Sequence, residues 1–182
     1  MELIETFDSG ILELFQQIHS DVLTMFFRLF TMMGEAGAIW ILAGILLLIR
    51  QDTRKYGVIV LLSLLLGVII GNGILKNVIA RPRPCWRHPE VEMLIAIPSD
   101  FSFPSGHTLS SFAASVSIAY WNRRYGIAAL VTAALIAASR MYFFVHYPTD
   151  IIAGAILGSM LAVASILLVE RVKPERVAVG DS

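Results

Sequence analysis

From residue 56 to residue 75 the chain runs for 20 residues without one charged side chain. A helix rises 1.5 Å per residue, so a run of this length matches the roughly 30 Å hydrocarbon core of a bilayer. No water is present there to satisfy peptide groups, so the run must be helical. Four further apolar stretches, 36–49, 108–121, 125–144 and 149–169, repeat the pattern. The expected fold class is all-α, an integral-membrane bundle of about five transmembrane helices, or six if residues 21–33 also cross. Composition agrees: 15% of the residues are charged, against roughly a quarter in soluble domains.

Ahead of these spans, Leu3, Ile4, Phe7, Ile11, Leu14, Phe15 and Ile18 recur at helical spacing against Glu2, Glu5, Asp8 and Glu13. The spacing predicts an amphipathic helix over 2–18 lying in the membrane interface, though an unusually acidic one. Residues 21–33, which contain Arg28, read either as a second interfacial helix or as the start of a long tilted span. One domain is expected, with N-terminal interfacial helices over 1–35, a membrane-embedded core over 36–170 and a polar tail over 171–182. The first residues lack a basic stretch followed by an apolar run, so no cleavable signal peptide is expected. The net charge of zero argues against nucleic acid as a partner. Cys85 is the single cysteine, which excludes an intramolecular disulfide and a cysteine-based metal site. Two small-xxx-small pairs, Gly67/Gly71 and Gly154/Gly158, would let helices approach closely. The abundance of glycine in membrane helices explains them equally well.

Counting spans sorts the loops onto two sides. One side holds Arg50, Arg54, Lys55, Arg123, Arg124, Arg171, Lys173 and Arg176, which the positive-inside rule assigns to the cytoplasm. The other holds three motifs at the borders of apolar segments: Lys76-(x)6-Arg83-Pro84, Pro104-Ser105-Gly106-His107 and Ser139-Arg140-(x)5-His146-(x)3-Asp150. Ionisable groups beside hydrocarbon are costly, so such a cluster points to function.

Each motif has a chemical reading and a plainer one. Lys76 and Arg83 suit phosphate binding, or snorkel toward lipid headgroups. Arg81-Pro82 duplicates the Arg-Pro unit, and Arg81 stands as a secondary phosphate or headgroup contact. Ser105 and Gly106 open a helix whose free N–H groups form an anion site, or simply cap and pack it. His107 is placed to exchange a proton with a bound phosphate. Asp150, four residues after His146, can accept the imidazole N–H and leave the other nitrogen as a nucleophile. The plainer reading makes Asp150 a helix-dipole partner and His146 an interfacial aromatic. His107, His146 and Asp150 are also a legitimate zinc set. Yet the three cations Lys76, Arg83 and Arg140 repel a divalent metal and attract phosphate, so no metal and no cofactor is expected. No Walker-type glycine loop or serine nucleophile elbow occurs in the sequence.

In residue type, spacing and order these motifs resemble the tripartite signature of the type 2 phosphatidic acid phosphatase (lipid phosphate phosphatase) superfamily, here a bacterial membrane member. The family spacing selects Arg83 over Arg81. The resemblance implies a metal-independent phosphatase with His146 as the nucleophile that forms a phosphohistidine. It implies that Asp150 orients His146 and that His107 acts as general acid. Lys76, Arg83, Ser105, Gly106 and Arg140 would bind the phosphoryl oxygens. Many bacterial members have six spans; here the first is absent or replaced by the amphipathic N-terminus. The superfamily's vanadium-dependent haloperoxidases are soluble, unlike this chain. The expected setting is the cytoplasmic membrane, multi-pass, with the site facing outward and lipids as partners. Undecaprenyl diphosphate is the expected substrate by family analogy, with phosphatidylglycerol phosphate and phosphatidate as alternatives. A non-catalytic lipid-phosphate binding or transport module is the alternative class. The 85–103 segment, with Trp86, Phe101 and Phe103, is expected at the headgroup.

Overall fold

The computed structural model describes residues 2–171, and they form helices joined by short connections and one long one. In chain order these are α1 (Glu2–Gln17), α2 (Asp21–Met33), α3 (Ala38–Ile49) and α4 (Arg54–Leu66). After α4 the helix widens into a π-helical stretch, Gly67–Leu75, and continues as α5 (Lys76–Ile79). The short α6 (Pro84–Arg87) precedes the long connection to α7 (Gly106–Trp121), followed by α8 (Arg123–Tyr142) and α9 (Pro148–Arg171). No strand occurs among the described residues. Of the expected polar tail, all but Arg171 lies outside the described residues.

Three stretches are long and apolar enough to cross a bilayer: Arg54–Arg87, Arg123–Tyr142 and Pro148–Arg171. A fourth forms if α2 and the Glu35–Ile49 segment, bent by 44°, make one broken span. The expectation of about five counted residues 36–49 and 108–121 as separate spans. The 12-residue α3 is too short to cross alone, and the bent pair fits the reading of 21–33 as the start of a long span. With 16 residues, α7 is only about 24 Å long. It is nonetheless the axis of the bundle, packed against α4, α8 and α9.

Glycine sets that axis. A Cβ on Gly67 or on Gly71 would stand 2.4 Å from a methyl of Leu109 in α7. On the other side, a Cβ on Gly158 would stand 2.3 Å from the Leu109 carbonyl oxygen, and one on Gly154 2.8 Å from that of Ser105. Both small-xxx-small pairs are therefore used for contact, and they clasp the first turns of α7 between them. Ser111, Ala113, Ala114, Ser115 and Ser117, each 0% exposed, keep the inner face of α7 slim.

The N-terminal helices pack one face on the motif end of the bundle. Leu12 and Phe27 join Tyr142, Phe143, Val145 and Tyr147 in a buried cluster. The Tyr142 hydroxyl lies 2.7 Å from Thr24 Oγ1. The opposite faces, with Leu3 at 87% and Val22 at 78% exposure, remain apolar and uncovered. The apolar positions expected of 2–18 are thus largely open, but Asp8, expected on the acidic face, is buried against the bundle.

Candidate active site

The three motifs converge because each sits where a helix is made to stop or start. Lys76 follows the π-helical stretch, and left-handed Ala80 (φ 47°) ends α5 one turn later. Arg83 then caps α6, whose first residue is Pro84. Ser105 caps α7, accepting from Thr108 N at 3.5 Å and from Thr108 Oγ1 at 3.0 Å. Arg140 lies in the last turn of α8, and its carbonyl accepts from Val145 N and His146 N, folding the turn back. Asp150 stands in the first turn of α9.

A cavity of about 850 Å³ collects Lys76, Arg83, Gly106, His107, Arg140 and His146 along its wall. Ser105, Asp150 and Arg81 are not among the lining residues. Ser105 spends its hydroxyl on the start of α7, and Asp150 stands behind His146. Arg81 is held between two carboxylates, donating to Asp8 Oδ2 and to Asp150 Oδ1 at 2.6 Å each. Its guanidinium lies 3.9 Å over the Tyr147 ring. Gly106 earns its place by contact, since a Cβ there would meet Asn72 Oδ1 at 2.9 Å. Asn72 thereby reaches the N-terminus of α7, where the first N–H groups lack helical partners.

The tautomer of His146 follows from its neighbours. Nε2 lies 3.0 Å from Arg83 Nη1, and a guanidinium only donates. Nε2 is therefore the acceptor, and the ring proton is on Nδ1, which faces Ser102 Oγ at 3.4 Å and Asp150 Oδ2 at 3.6 Å. Asp150 Oδ2 also accepts from Tyr147 N at 2.9 Å and from the Ser102 hydroxyl. Burial outweighs the pull of Asp150 and lowers the His146 pKa to about 3. Nε2 is thus unprotonated at neutral pH, and its lone pair accepts from Arg83 at the wall of the cationic cavity.

The cations have partners that sequence reasoning missed. Asp100 places one oxygen 2.5 Å from Lys76 Nζ and the other 2.6 Å from Arg83 Nη2. Burial works to raise the Asp100 pKa, but Lys76 and Arg83 outweigh it and hold it at about 2. Arg140 Nη1 donates to Thr31 Oγ1 of α2 at 2.5 Å. Arg140 Nε and His107 Nε2 are buried without a hydrogen-bond partner among the described residues. Buried polar groups are rarely left so; an oxyanion in the cavity would accept from Arg140 Nε, and from His107 Nε2 when that nitrogen carries a proton. The carboxylate nearest to His107 is Glu35, 3.7 Å from Nε2. Asp8, Glu35, Asn72, Asp100 and Ser102 carry no signal in motif spacing; only the odd acidity of residues 2–18 hinted at Asp8.

The arrangement resembles known proteins in sequence and in shape. The family model described as the PAP2 superfamily matches residues 56–174, more than half of the chain. The undecaprenyl-diphosphatase of Sulfolobus acidocaldarius is 32% identical over 157 residues, 85% of this chain and 76% of that protein. The undecaprenyl-diphosphatase BcrC of Bacillus subtilis is 28% identical over 143 residues, 79% of this chain and 73% of that protein. The crystal structure of a transmembrane PAP2-type phosphatidylglycerolphosphate phosphatase from Bacillus subtilis superposes with a TM-score of 0.80 at 26% identity. That superposition covers 97% of this chain and 90% of the other. With its three motifs gathered on one cavity and a family match of this extent, the chain belongs to the PAP2 superfamily.

Proposed function

We propose that this protein is a membrane lipid phosphatase that acts through a phosphohistidine on His146 at the extracytoplasmic face, with undecaprenyl diphosphate as substrate. One observation carries the chemistry: His146 presents an unprotonated Nε2 to a cavity lined by Lys76, Arg83 and Arg140.

In the first step Nε2 bonds to phosphorus while the bond from phosphorus to the leaving oxygen breaks. His107 gives its proton to that oxygen as it departs; burial lowers its pKa to about 3, and the negative charge of the phosphate is what raises it for this role. The phosphorylated imidazole is cationic, and Asp150 behind Nδ1 supports that charge. Water then attacks phosphorus, His107 takes the water's proton, the P–N bond breaks and inorganic phosphate leaves. Lys76, Arg83, Arg140 and the first N–H groups of α7 face the equatorial oxygens, where charge accumulates in phosphoryl transfer.

The orientation rests on charge. Arg50, Arg54, Lys55, Arg123, Arg124 and Arg171 lie at the helix ends remote from the cavity. There Lys55 pairs with Glu170 at 2.7 Å. That excess of cations favours the cytoplasmic side for the remote ends and the outer side for the site. The substrate follows the two relatives named undecaprenyl-diphosphatase. The close superposition on a phosphatidylglycerolphosphate phosphatase favours that glycerolipid as a second reading. The test is phosphate release from undecaprenyl diphosphate, phosphatidylglycerol phosphate and phosphatidate by purified protein in excess EDTA. Undecaprenyl diphosphate is expected to be turned over fastest, and His146→Ala to abolish all release. Release that needs a divalent metal, or that persists in His146→Ala, refutes the reading.

A further inference from the structure

We propose that Asp8, on the amphipathic N-terminal helix, is a positioning residue that acts through Arg81 on the Asp150–His146 pair. The inference rests on the reading of His146 as nucleophile.

Three of the four acidic residues of α1 before Gln17, namely Glu2, Glu5 and Glu13, are exposed, whereas Asp8 is 1% exposed. A carboxylate is buried at this cost only when it is fully paired. Asp8 Oδ2 accepts from Arg81 Nη2 at 2.6 Å and from Thr149 Oγ1 at 2.7 Å. Oδ1 accepts from Thr149 N at 3.0 Å, so α1 caps the start of α9 from outside that helix. Arg81 Nη1 in turn donates to Thr149 Oγ1 at 2.8 Å and to Asp150 Oδ1 at 2.6 Å.

The guanidinium is planar, so fixing one nitrogen fixes the direction of the other. With Nη2 tied to Asp8 and its face on Tyr147, Arg81 offers Asp150 a single N–H. That commits Oδ1 and leaves Oδ2 to Tyr147 N, Ser102 and the Nδ1 side of His146. Without Asp8, the fork is free to take both oxygens of Asp150, the geometry that Arg–carboxylate pairs favour. Oδ2 would then turn away from His146, and the nucleophile would lose its tautomer and its support. Arg81 and the acidity of α1, the two features left over by the motif reading, thus belong to one device.

The experiment measures lipid phosphate turnover for wild type, Asp8→Asn, Arg81→Gln and the double variant. Turnover is expressed per orthovanadate-binding site, so protein that fails to fold drops out of the comparison. Asp8→Asn is expected to lower kcat about tenfold, as loss of an outer carboxylate behind a histidine does elsewhere. KM should stay unchanged, because no cavity cation is touched. Asp8→Glu should restore part of kcat. In the Arg81→Gln background, Asp8→Asn is expected to cost less than about twofold more. Full kcat per site in Asp8→Asn, or an equal loss in both backgrounds, overturns the inference. A wild type that releases no phosphate from any lipid phosphate overturns the proposed function instead, and the inference falls with it.

Discussion

Arg83 Nη1 lies 3.0 Å from His146 Nε2, so a cation of the cavity wall touches the nitrogen proposed to attack. The same guanidinium donates to the Val145 carbonyl at 2.7 Å and to the Asp100 carbonyl at 2.7 Å. It therefore holds the loop that carries His146 as well as lining the cavity. Arg83→Gln is expected to lower kcat/KM about a hundredfold to a thousandfold, as removal of one transition-state donor does. Arg83→Lys should not restore it, because one ammonium cannot reproduce the fork. Phosphate release under initial-rate conditions checks both variants.

The depressed pKa of His146 sets a pH signature in stability. An unfolded chain protonates this histidine near 6.5, whereas burial keeps the folded one neutral down to about 3. Between these values the unfolded state binds more protons, so stability rises with pH there. The contribution is complete above pH 6.5 and is lost as pH falls toward 3. Asp100, ordinarily near 3.9 and here about 2, adds a loss at lower pH still. The thermal midpoint should therefore fall steadily on acidification from pH 6.5 to 4, and His146→Gln should reduce that slope, the remainder coming from His107, which burial likewise lowers to about 3. An unchanged slope in the variant would refute the assignment.

Asp100 occupies Lys76 and Arg83 with its own carboxylate, so an incoming phosphate has to exchange with it. Asp100→Asn leaves both cations to the ligand. Inhibition by inorganic phosphate or orthovanadate should then tighten, by about tenfold if one charge-assisted bond is freed. Dose–response curves against lipid phosphate turnover measure this. Weaker inhibition would mean that Asp100 orients the cations instead of competing for them.

The glycine contacts predict an ordered pair of stability losses. Gly158→Ala drives its Cβ against the main-chain oxygen of Leu109, which cannot give way. Gly71→Ala meets only a methyl of the same residue, which can turn aside. Overpacking costs typically 1–3 kcal/mol, so Gly158→Ala should lie at or above about 3 kcal/mol and Gly71→Ala near about 1. Leu109→Ala should rescue Gly71→Ala and leave Gly158→Ala unrepaired. Denaturation in matched detergent compares wild type, the three single variants and the two double variants.

What the sequence made legible was whatever depends on local spacing. The 20-residue uncharged run, the proline and glycine at helix starts, and the positions of His107, His146 and Asp150 all read directly. Lys76, Arg83 and Arg140 read as cavity cations because a charge beside an apolar run needs a reason. Asp100 and Ser102 did not read, because they lie on a connection without periodicity whose path is set by tertiary bonds. Two such bonds are Arg28 to the Leu94 carbonyl at 2.8 Å and Trp86 to the Pro98 carbonyl at 3.1 Å. Arg81 was offered as a phosphate or headgroup contact, and the structure instead places it between Asp8 and Asp150, away from the cavity wall. No spacing rule could reveal that partner, since α1 reaches it only after the bundle closes. Likewise the break at Gly34, where a Cβ would press on His107 and Ile136 at 2.8 Å, is set by what lies across the cavity.

The clasp on Leu109 also decides which wall of the cavity can move. Backbone packed against backbone across Gly154 and Gly158 leaves α7 and α9 no room to slide or twist past one another. His107, at the start of one, and Asp150, at the start of the other, therefore behave as a fixed jaw. The facing wall is α2 and the 94–100 segment, held by Phe27, Leu94 and Ile95 on the buried cluster and, at the cavity, by Thr31–Arg140 and the Asp100 carboxylate. Under the proposed function, the oxygens of a lipid phosphate can replace the polar contacts that Asp100 and Thr31 make on that side.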